Sequence, residues 1–551
     1  MMNRIILLSL FLWQASLFAQ QESVFVHLDK DLYLSGETIW MAAYCMNSSG
    51  QTSQESKVLY IELLDQDAKA VVQERVSLID GFAQAQLFVE GSLNSGVYYL
   101  KAYTAAMRNA GPEHFFEAGI RIVHPFRPLS PSIGELSSPT PEANSSPSEN
   151  LSISTDQKTY RSRSEAKLNI AALDNQDWAQ LSIAVHKYDP AWPVALPAIS
   201  QSKAAAQSES PNKSYPAEIL APSLQGQIKG ASEGVFVLFP GDNARIFPVP
   251  LSGNGEFSLI LPPEIQQKDM LFWAEGQSIQ SVEIKSNFAK NHQILRPLTW
   301  DVDSAKLAYI KSLSRNAQIN NAYLDFTEVR GSKAPKLPDS YFYGDPDWVY
   351  FLDDYTRFPV MEEVFLEILN YVHRRNRRKN EYLDVNDLYA NENSISNSIH
   401  FDSPALVMID GIPIEDVAYL WDYDPLKIER VEIVGRRYIA GRSVFHGIVN
   451  FITYKRNFGG QPFPDYIIEQ KYQPLQRARQ FQAPDYAQTE QARIPDFRSL
   501  LHWEAGLNWY SSQSLERSFF CGDDKGHYRV VVNGLSQSGQ KLFGTTTFEV
   551  Q

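Results

Sequence analysis

The sequence predicts a mainly-β chain, built from tandem β-sandwiches with one α+β module set among them. Short apolar runs alternate with period two over about the first hundred mature positions and are broken by turn residues, as half-buried strands require. The opening strand pattern recurs further along, which argues for tandem domains. Apolar spacing changes to three and four residues only near Asp354, and strands then resume. With 551 residues, the chain exceeds the roughly 100–200 residues of a typical single core, so several domains are expected.

Residues 1–19 carry Arg4, an apolar run over 5–13 and a small residue at Ala19, the pattern of a secretory signal with cleavage after Ala19. A spanning helix needs about 20 apolar residues, which this run lacks, and no later stretch reaches that length. Cys45 lies well inside the mature chain, so a lipid-modified cysteine after the signal is not expected. Residues 22–124 read as one β-sandwich, with alternating runs at 58–64, 83–89 and 97–102. Its opening holds Asp29, Tyr33, Gly36 and Glu37, where Gly36 supplies a tight turn. Residues 125–150 form a linker in which Pro128, Pro131, Pro139, Pro141 and Pro147 sit among serines.

Asp156, Tyr160 and Glu165, followed by alternating Ala166, Leu168 and Ile170, echo that opening and begin a second β-domain at 151–220. Ser164 reads as the replacement for the glycine, and a polar loop lies near 201–214. Residues 221–290 form another compact β-domain, with Gly253, Asn254 and Gly255 turning into a strand. A connector covers 291–355. Val360, Met361, Val364, Phe365, Ile368, Leu369 and Val372 then predict an amphipathic helix. Arg374, Arg375, Arg377, Arg378 and Lys379 follow at the helix end, where cations are favoured, and offer a partner surface for acidic groups. The α+β module runs over 356–456, an extended linker over 457–495, and a closing β segment over 496–551.

The net charge of −14 disfavours non-specific nucleic-acid binding. Only Cys45 and Cys521 are present, so stability rests on cores, with at most one bridge between them. No His-Glu-x-x-His, Cys-x-x-Cys, Gly-x-Ser-x-Gly or phosphate-loop pattern occurs, so neither a catalytic centre nor a cofactor is expected. Asp345, Asp347, Asp353, Asp354, Asp384 and Asp387 fit turns better than any calcium-loop spacing. Trp348, Tyr350, Phe351, Tyr355 and Phe358 are either core or a partner surface.

The opening motif around Asp29–Glu37 resembles the first strands of macroglobulin-type domains, immunoglobulin-like units of the α2-macroglobulin superfamily. The 221–290 region resembles small carboxypeptidase-regulatory-like β-domains. Within 356–456, Asp410, Gly411 and Pro413 end a strand and Asp424 and Pro425 start a short helix. Ile428, Glu429 and Glu432 mark an alternating strand, and Gly447 and Asn450 mark another. In that order these pieces resemble the plug domain of TonB-dependent outer-membrane receptors. In those receptors a barrel of 22 strands follows the plug; only about 95 residues follow Lys455 here, too few for such a barrel. No TonB-contacting box is recognisable. The arrangement is similar to Bacteroidota envelope proteins that combine macroglobulin-type domains with a barrel-less plug-like module and a C-terminal immunoglobulin-like segment. The resemblance implies a periplasmic or outer-membrane-associated, non-enzymatic interaction protein docking on an outer-membrane partner, such as a receptor-type barrel or secretion complex. The alternatives are a peptide- or glycan-binding module and a protease-interacting protein. Thioester relatives need a glutamine three residues after the cysteine, and Asp524 stands there after Cys521, so trapping by a thioester is excluded.

Overall fold

The structure is a computed structural model that describes residues 21–127, 149–173, 178–190, 192, 196–202, 215–241, 244–298, 300, 302–323, 341–377, 380–389, 400–487, 494–510 and 513–551. The expected signal segment, most of the 125–150 linker, most of the polar loop, and Arg378 and Lys379 lie outside the described residues. The chain divides into two compact units. One comprises Met1–Ala221, Asn287–Ala334 and Leu475–Gln551, the other Pro222–Ser286 and Pro335–Pro474.

The first unit opens with β1 (Ser23–Leu28), β2 (Leu32–Leu34), β3 (Thr38–Met46), β4 (Val58–Leu64), β5 (Ala70–Ser77), β6 (Phe82–Phe88), β7 (Gly96–Thr104) and β8 (Phe116–Val123). They form two facing sheets, ordered β1-β3-β6 and β2-β8-β7-β4-β5. Phe25, Tyr33, Ile39, Tyr60 and Tyr103 have no exposed surface in the core between them. Each such large side chain stabilises the fold by about 1.5–3 kcal/mol through burial. Then β9 (Leu151–Thr155), β10 (Thr159–Tyr160), β11 (Glu165–Ala172) and β12 (Trp178–Lys187) begin a second sandwich and leave it incomplete.

The second unit takes over with β13 (Ser223–Lys229), β14 (Val235–Phe239), β15 (Arg245–Pro248), β16 (Glu256–Ile260), β17 (Asp269–Ala274) and β18 (Ser281–Lys285). The chain then re-enters the first unit. There the buried Lys101 pairs with Glu117 at 2.5 Å and donates to the Gln293 carbonyl, while Glu117 accepts from the Leu295 and Arg296 amides. These contacts strap 287–298 across the sheet, and helix α1 (Ser304–Ala322) follows, capped by Asp303. Its Ile310 and Leu313 pack on Leu32, Leu34 and Val123 at the β2 edge. The connector predicted at 291–355 is therefore a strap, a helix and a strand. The helix escaped prediction because its face is weakly apolar and only Ile310, Leu313 and Asn316 are buried.

The α+β module holds β19 (Trp348–Phe351), α2 (Met361–Glu367), β20 (Val372–Arg377), β21 (Asn380–Val385), β22 (Leu406–Ile409), β23 (Ile412–Pro413), α3 (Ala418–Trp421), β24 (Ile428–Ala440), β25 (Ser443–Thr453) and β26 (Ile468–Lys471). Its main sheet is ordered β19-β24-β25-β22-β23, and β20 with β21 makes a separate hairpin. The predicted long helix is corrected: it ends at Glu367, where the Ile368 and Leu369 amides both bond the Val364 carbonyl. Ile368, Leu369 and Val372 are still buried, so the apolar spacing served two elements rather than one helix. Arg374, Arg375 and Arg377 accordingly sit on a strand, not at a helix end. The linker predicted at 457–495 is corrected too, since β26 adds to β17 and extends the sheet β15-β14-β17-β26.

Finally β27 (Leu500–Tyr510), β28 (Leu515–Phe520), β29 (Gly526–Ser536) and β30 (Lys541–Val550) complete the second sandwich, giving sheets β9-β11-β28 and β10-β30-β29-β12-β27. Strand for strand, this repeats the order of the first sandwich. The segments read as separate domains at 151–220 and 496–551 are two halves of one domain. The echo holds at the level of single bonds. Tyr33 Oη donates to Asp29 Oδ1 at 2.7 Å, and the Trp40 amide donates to the same oxygen at 2.8 Å. Tyr160 Oη and the Lys167 amide donate to Asp156 Oδ1 at 2.5 and 2.8 Å. Arg163, not Ser164, takes the glycine's place: it has φ of 62° where Gly36 has 98°. That left-handed conformation is costly for a side-chain-bearing residue. Two bonds from its guanidinium to Asp523, at 2.7 and 2.6 Å, hold it there. Cys45 and Cys521 are both buried and unbridged.

Candidate functional site

In the α+β module, β22 and β23 are joined by a two-residue turn, Asp410-Gly411, with φ of 50° and 81°. Such a turn matches the twist of adjoining strands and favours glycine at the second position. Asp410 is 1% exposed and its carboxylate accepts from the Thr453 amide at 2.7 Å, the Thr453 hydroxyl at 2.6 Å and the Phe458 amide at 2.9 Å. Burial pushes its acidity toward weaker values, and these three donors pull against that. Next to it, Asn450 Oδ1 accepts from the Gly411 amide at 3.1 Å, and Asn450 Nδ2 donates to Tyr343 Oη at 2.9 Å. Tyr343 donates to Glu432 at 2.6 Å, which Arg430 also contacts at 2.8 Å. Arg430 and Arg456 both bond Glu429.

The structure thus joins Asp410, Gly411, Glu429, Glu432 and Asn450 in one polar network. Pro413, Asp424, Pro425, Ile428 and Gly447 lie around it as scaffold. Asp424 caps the turn Pro425–Lys427 by accepting from the Leu426 amide, and Arg357 donates to the Pro425 and Ile428 carbonyls at 2.9 and 3.0 Å. Gly447 lets the Val385 side chain approach the β25 backbone. Tyr343, Thr453 and Arg456 complete the network without any motif to announce them; only a buried acceptor's need for donors could have suggested a hydroxyl opposite Asp410. With these hydrogen bonds met, the network fixes the turn and the β22–β25 pairing.

The five aromatic candidates separate. Tyr350 is buried, Trp348 stacks on Tyr371 at 4.2 Å and Phe358 packs partly buried against the core, whereas Phe351 and Tyr355 are 47% and 44% exposed. Leu426 and Tyr454 are 52% and 48% exposed. Hydrogen bonds bring these last two close to Phe351 and Tyr355: Tyr454 Oη donates to Asp353 at 2.6 Å, and Arg357 reaches the Pro425 carbonyl. The patch adjoins β19, which among the described residues pairs only with β24 and has no strand on its other edge. An open edge beside exposed apolar side chains is a docking geometry.

The basic cluster is largely occupied. Arg374 bonds Glu381 at 2.7 Å and Glu362 at 3.3 Å and lies over the Trp421 ring at 4.4 Å, and Arg375 meets Asp384 at 3.5 Å. The Arg377 side chain is outside the described residues. The aspartates do not converge: among the described residues no group of three or more His, Cys, Asp or Glu could hold a metal ion. Asp347 instead accepts from the Gly435 amide at 2.8 Å and Asp387 from the Tyr389 amide at 2.9 Å. No helix of the described residues is long and apolar enough to cross a membrane.

No protein-family model matches the chain, and no curated protein does. Among solved structures, it is similar to a Salmonella alpha-2-macroglobulin reacted with methylamine, at 9% identity and TM-score 0.25, covering 96% of this chain and 39% of that one. The native conformation of Escherichia coli alpha-2-macroglobulin gives 9% identity and TM-score 0.25, covering 97% and 40%. An Escherichia coli adhesin gives 14% identity and TM-score 0.14, covering 51% and 64%. The chain spans about two fifths of the length of the alpha-2-macroglobulins it matches.

Proposed function

We propose that this chain is a non-enzymatic, exported envelope protein that works by binding, with its macroglobulin-type sandwiches as a rigid frame. In this reading the α+β module docks on an outer-membrane partner, a receptor-type barrel or a secretion complex. The observation that supports it most is the exposed patch of Phe351, Tyr355, Leu426 and Tyr454 beside the open β19 edge. The bonds of Tyr454 to Asp353 and of Arg357 to the Pro425 carbonyl tie the patch together, which lowers the entropic cost of docking. Affinity isolation of the full chain from detergent-solubilised native envelopes tests it, comparing wild type with Phe351→Asp and Leu426→Asp. Both side chains are exposed, so the variants keep the fold. Loss of a co-isolating outer-membrane protein in the variants is the expected result; an unchanged set of partners defeats the reading.

A further inference from the structure

Within the first unit, the β1–β3 region, the end of β12, helix α1 and the segment 479–500 surround a cavity of about 1030 Å³. That is at the upper end of ligand pockets, roughly 300–1,000 Å³, and suits a short stretch of extended polypeptide. Its walls carry Trp40, Tyr188, Trp192, Tyr309, Phe481 and Tyr486. Carboxylates outnumber cations among the lining residues: Asp29, Asp31, Glu37, Asp189, Asp485 and Asp496 face Lys30, Lys187, Arg479 and Arg498. Three of those cations are engaged, Lys30 on Glu37 at 2.6 Å, Lys187 on Asp524 at 2.5 Å and Arg498 on Asp496 at 2.9 Å. An anionic ligand would have to break such pairs, whereas Glu37 Oε1, met among the described residues only by the Ser499 hydroxyl at 3.4 Å, can take a second cation with its Lys30 pair intact.

The rings already serve as cation platforms. Arg121 and Lys306 lie 5.2 and 5.8 Å from the Trp192 ring, and Arg163 lies 5.1 Å from that of Tyr486. The Trp192 indole N–H, His186 Nε2 and Asp29 Oδ2 line the same region, are buried, and find no hydrogen-bond partner among the described residues. These buried polar groups can hydrogen-bond a group that enters the cavity. Burial holds the Tyr309 phenol well above its ordinary pKa, and the charges of Asp189, Asp31, Asp524 and Glu37 add to the rise.

We propose that this cavity binds a lysine- or arginine-bearing extended segment of a partner polypeptide, with the aliphatic stem on the aromatic walls and the charge beside Glu37. Cation–π and carboxylate contacts both favour that chemistry in a partly desolvated site. The site is separate from the docking patch of the α+β module and stands or falls independently of it.

The experiment measures fluorescence anisotropy of a labelled, end-blocked hexapeptide of alternating Lys and Ala with the full chain. A Glu–Ala hexapeptide and labelled maltohexaose serve as comparison probes. Ala317→Trp and Ala483→Trp fill the cavity from lining positions that carry no polar contact, and circular dichroism checks their fold. The expected result is a Kd for the Lys peptide at least about tenfold tighter than for the Glu peptide, weakened at least about tenfold by either folded variant and by raised salt. Lys-peptide binding that is absent at millimolar concentration overturns the proposal. So does binding unaffected by both tryptophans, which would be diffuse attraction to the acidic surface, and so does variant-sensitive binding of maltohexaose in place of the peptide.

Discussion

Replacing Asp29 with asparagine removes a titrating group and keeps an acceptor for both Tyr33 and the Trp40 amide. Asp29 has no exposed surface, and burial raises its pKa from 3.8 to about 7 against the opposing pull of Lys30, Tyr33 and the Trp40 amide. A folded-state pKa above the unfolded one makes the group's contribution greatest below about pH 4 and lost as pH rises toward 7. Over that window the loss is about 4 kcal/mol at 1.36 kcal/mol per unit. His27 and His186 slope the other way, since burial lowers them to about 3 and about 4, so they disfavour the fold as pH falls below about 6.5. The wild-type profile is therefore a partial cancellation, and the informative quantity is the difference between variant and wild type. Urea denaturation followed by tryptophan fluorescence, from pH 4 to 8, should show Asp29→Asn gaining on wild type by a few kcal/mol as pH rises. Hydrogen exchange over β1–β3 localises the effect. A difference that stays constant across pH refutes the assignment of Asp29 as a buried, proton-holding carboxyl. The repeat supplies an internal control. Asp156 makes the same bonds at an exposed site, where burial acts upward but the Tyr160 and Lys167 bonds prevail and lower its pKa, so Asp156→Asn should show no such gain.

Other consequences are equally direct. Asp410→Ala strands the Thr453 and Phe458 amides in a buried site and should destabilise the second unit by about 2–4 kcal/mol, read as early loss of protection in β22–β25. Lys101→Met leaves the Glu117 carboxylate uncompensated at a side chain 4% exposed; a cost of about 3–5 kcal/mol and faster hydrogen exchange over 287–298 are expected. Deleting 526–551 removes β29 and β30 and should expose β9–β12 to proteolysis, because β10 and β12 lose strands of their own sheet and β9 and β11 lose the sheet they face, while β13–β18 stays protected. Burial pushes the Cys521 thiol up to about 11 and Cys45 well above its ordinary value, so native protein should resist iodoacetamide at pH 8 and react fully in urea.

Much of this was legible from local chemistry. Short apolar runs broken by turn residues marked β4, β6 and β7, and the structure buries β4 and β7 on both faces rather than one. The Asp-x-x-x-Tyr pattern recurred because an aspartate that ties a tyrosine hydroxyl to a strand amide is a local device of a few residues. The Asp410-Gly411 turn and the two strands β24 and β25 were likewise readable from consecutive positions, whereas their pairing into a hairpin came with the structure.

What escaped was the choice of partners distant in sequence. Spacing alone could not separate a helix over 360–372 from a helix that stops at Glu367 and a strand that starts at Val372, because both bury Ile368, Leu369 and Val372. The glycine-equivalent position fell on Arg163 because its guanidinium reaches Asp523, and only the folded chain brings those residues together. The sequence by itself determined which segments are strands, where turns must fall, and that a second sandwich begins near Asp156. Only tertiary structure decided that β9–β12 wait for β27–β30. A half-built sandwich leaves sheet edges and an apolar face unsatisfied, and the segment that satisfies them can lie anywhere in the chain, since the energy of closing a sandwich depends on distance in space rather than on distance along the backbone.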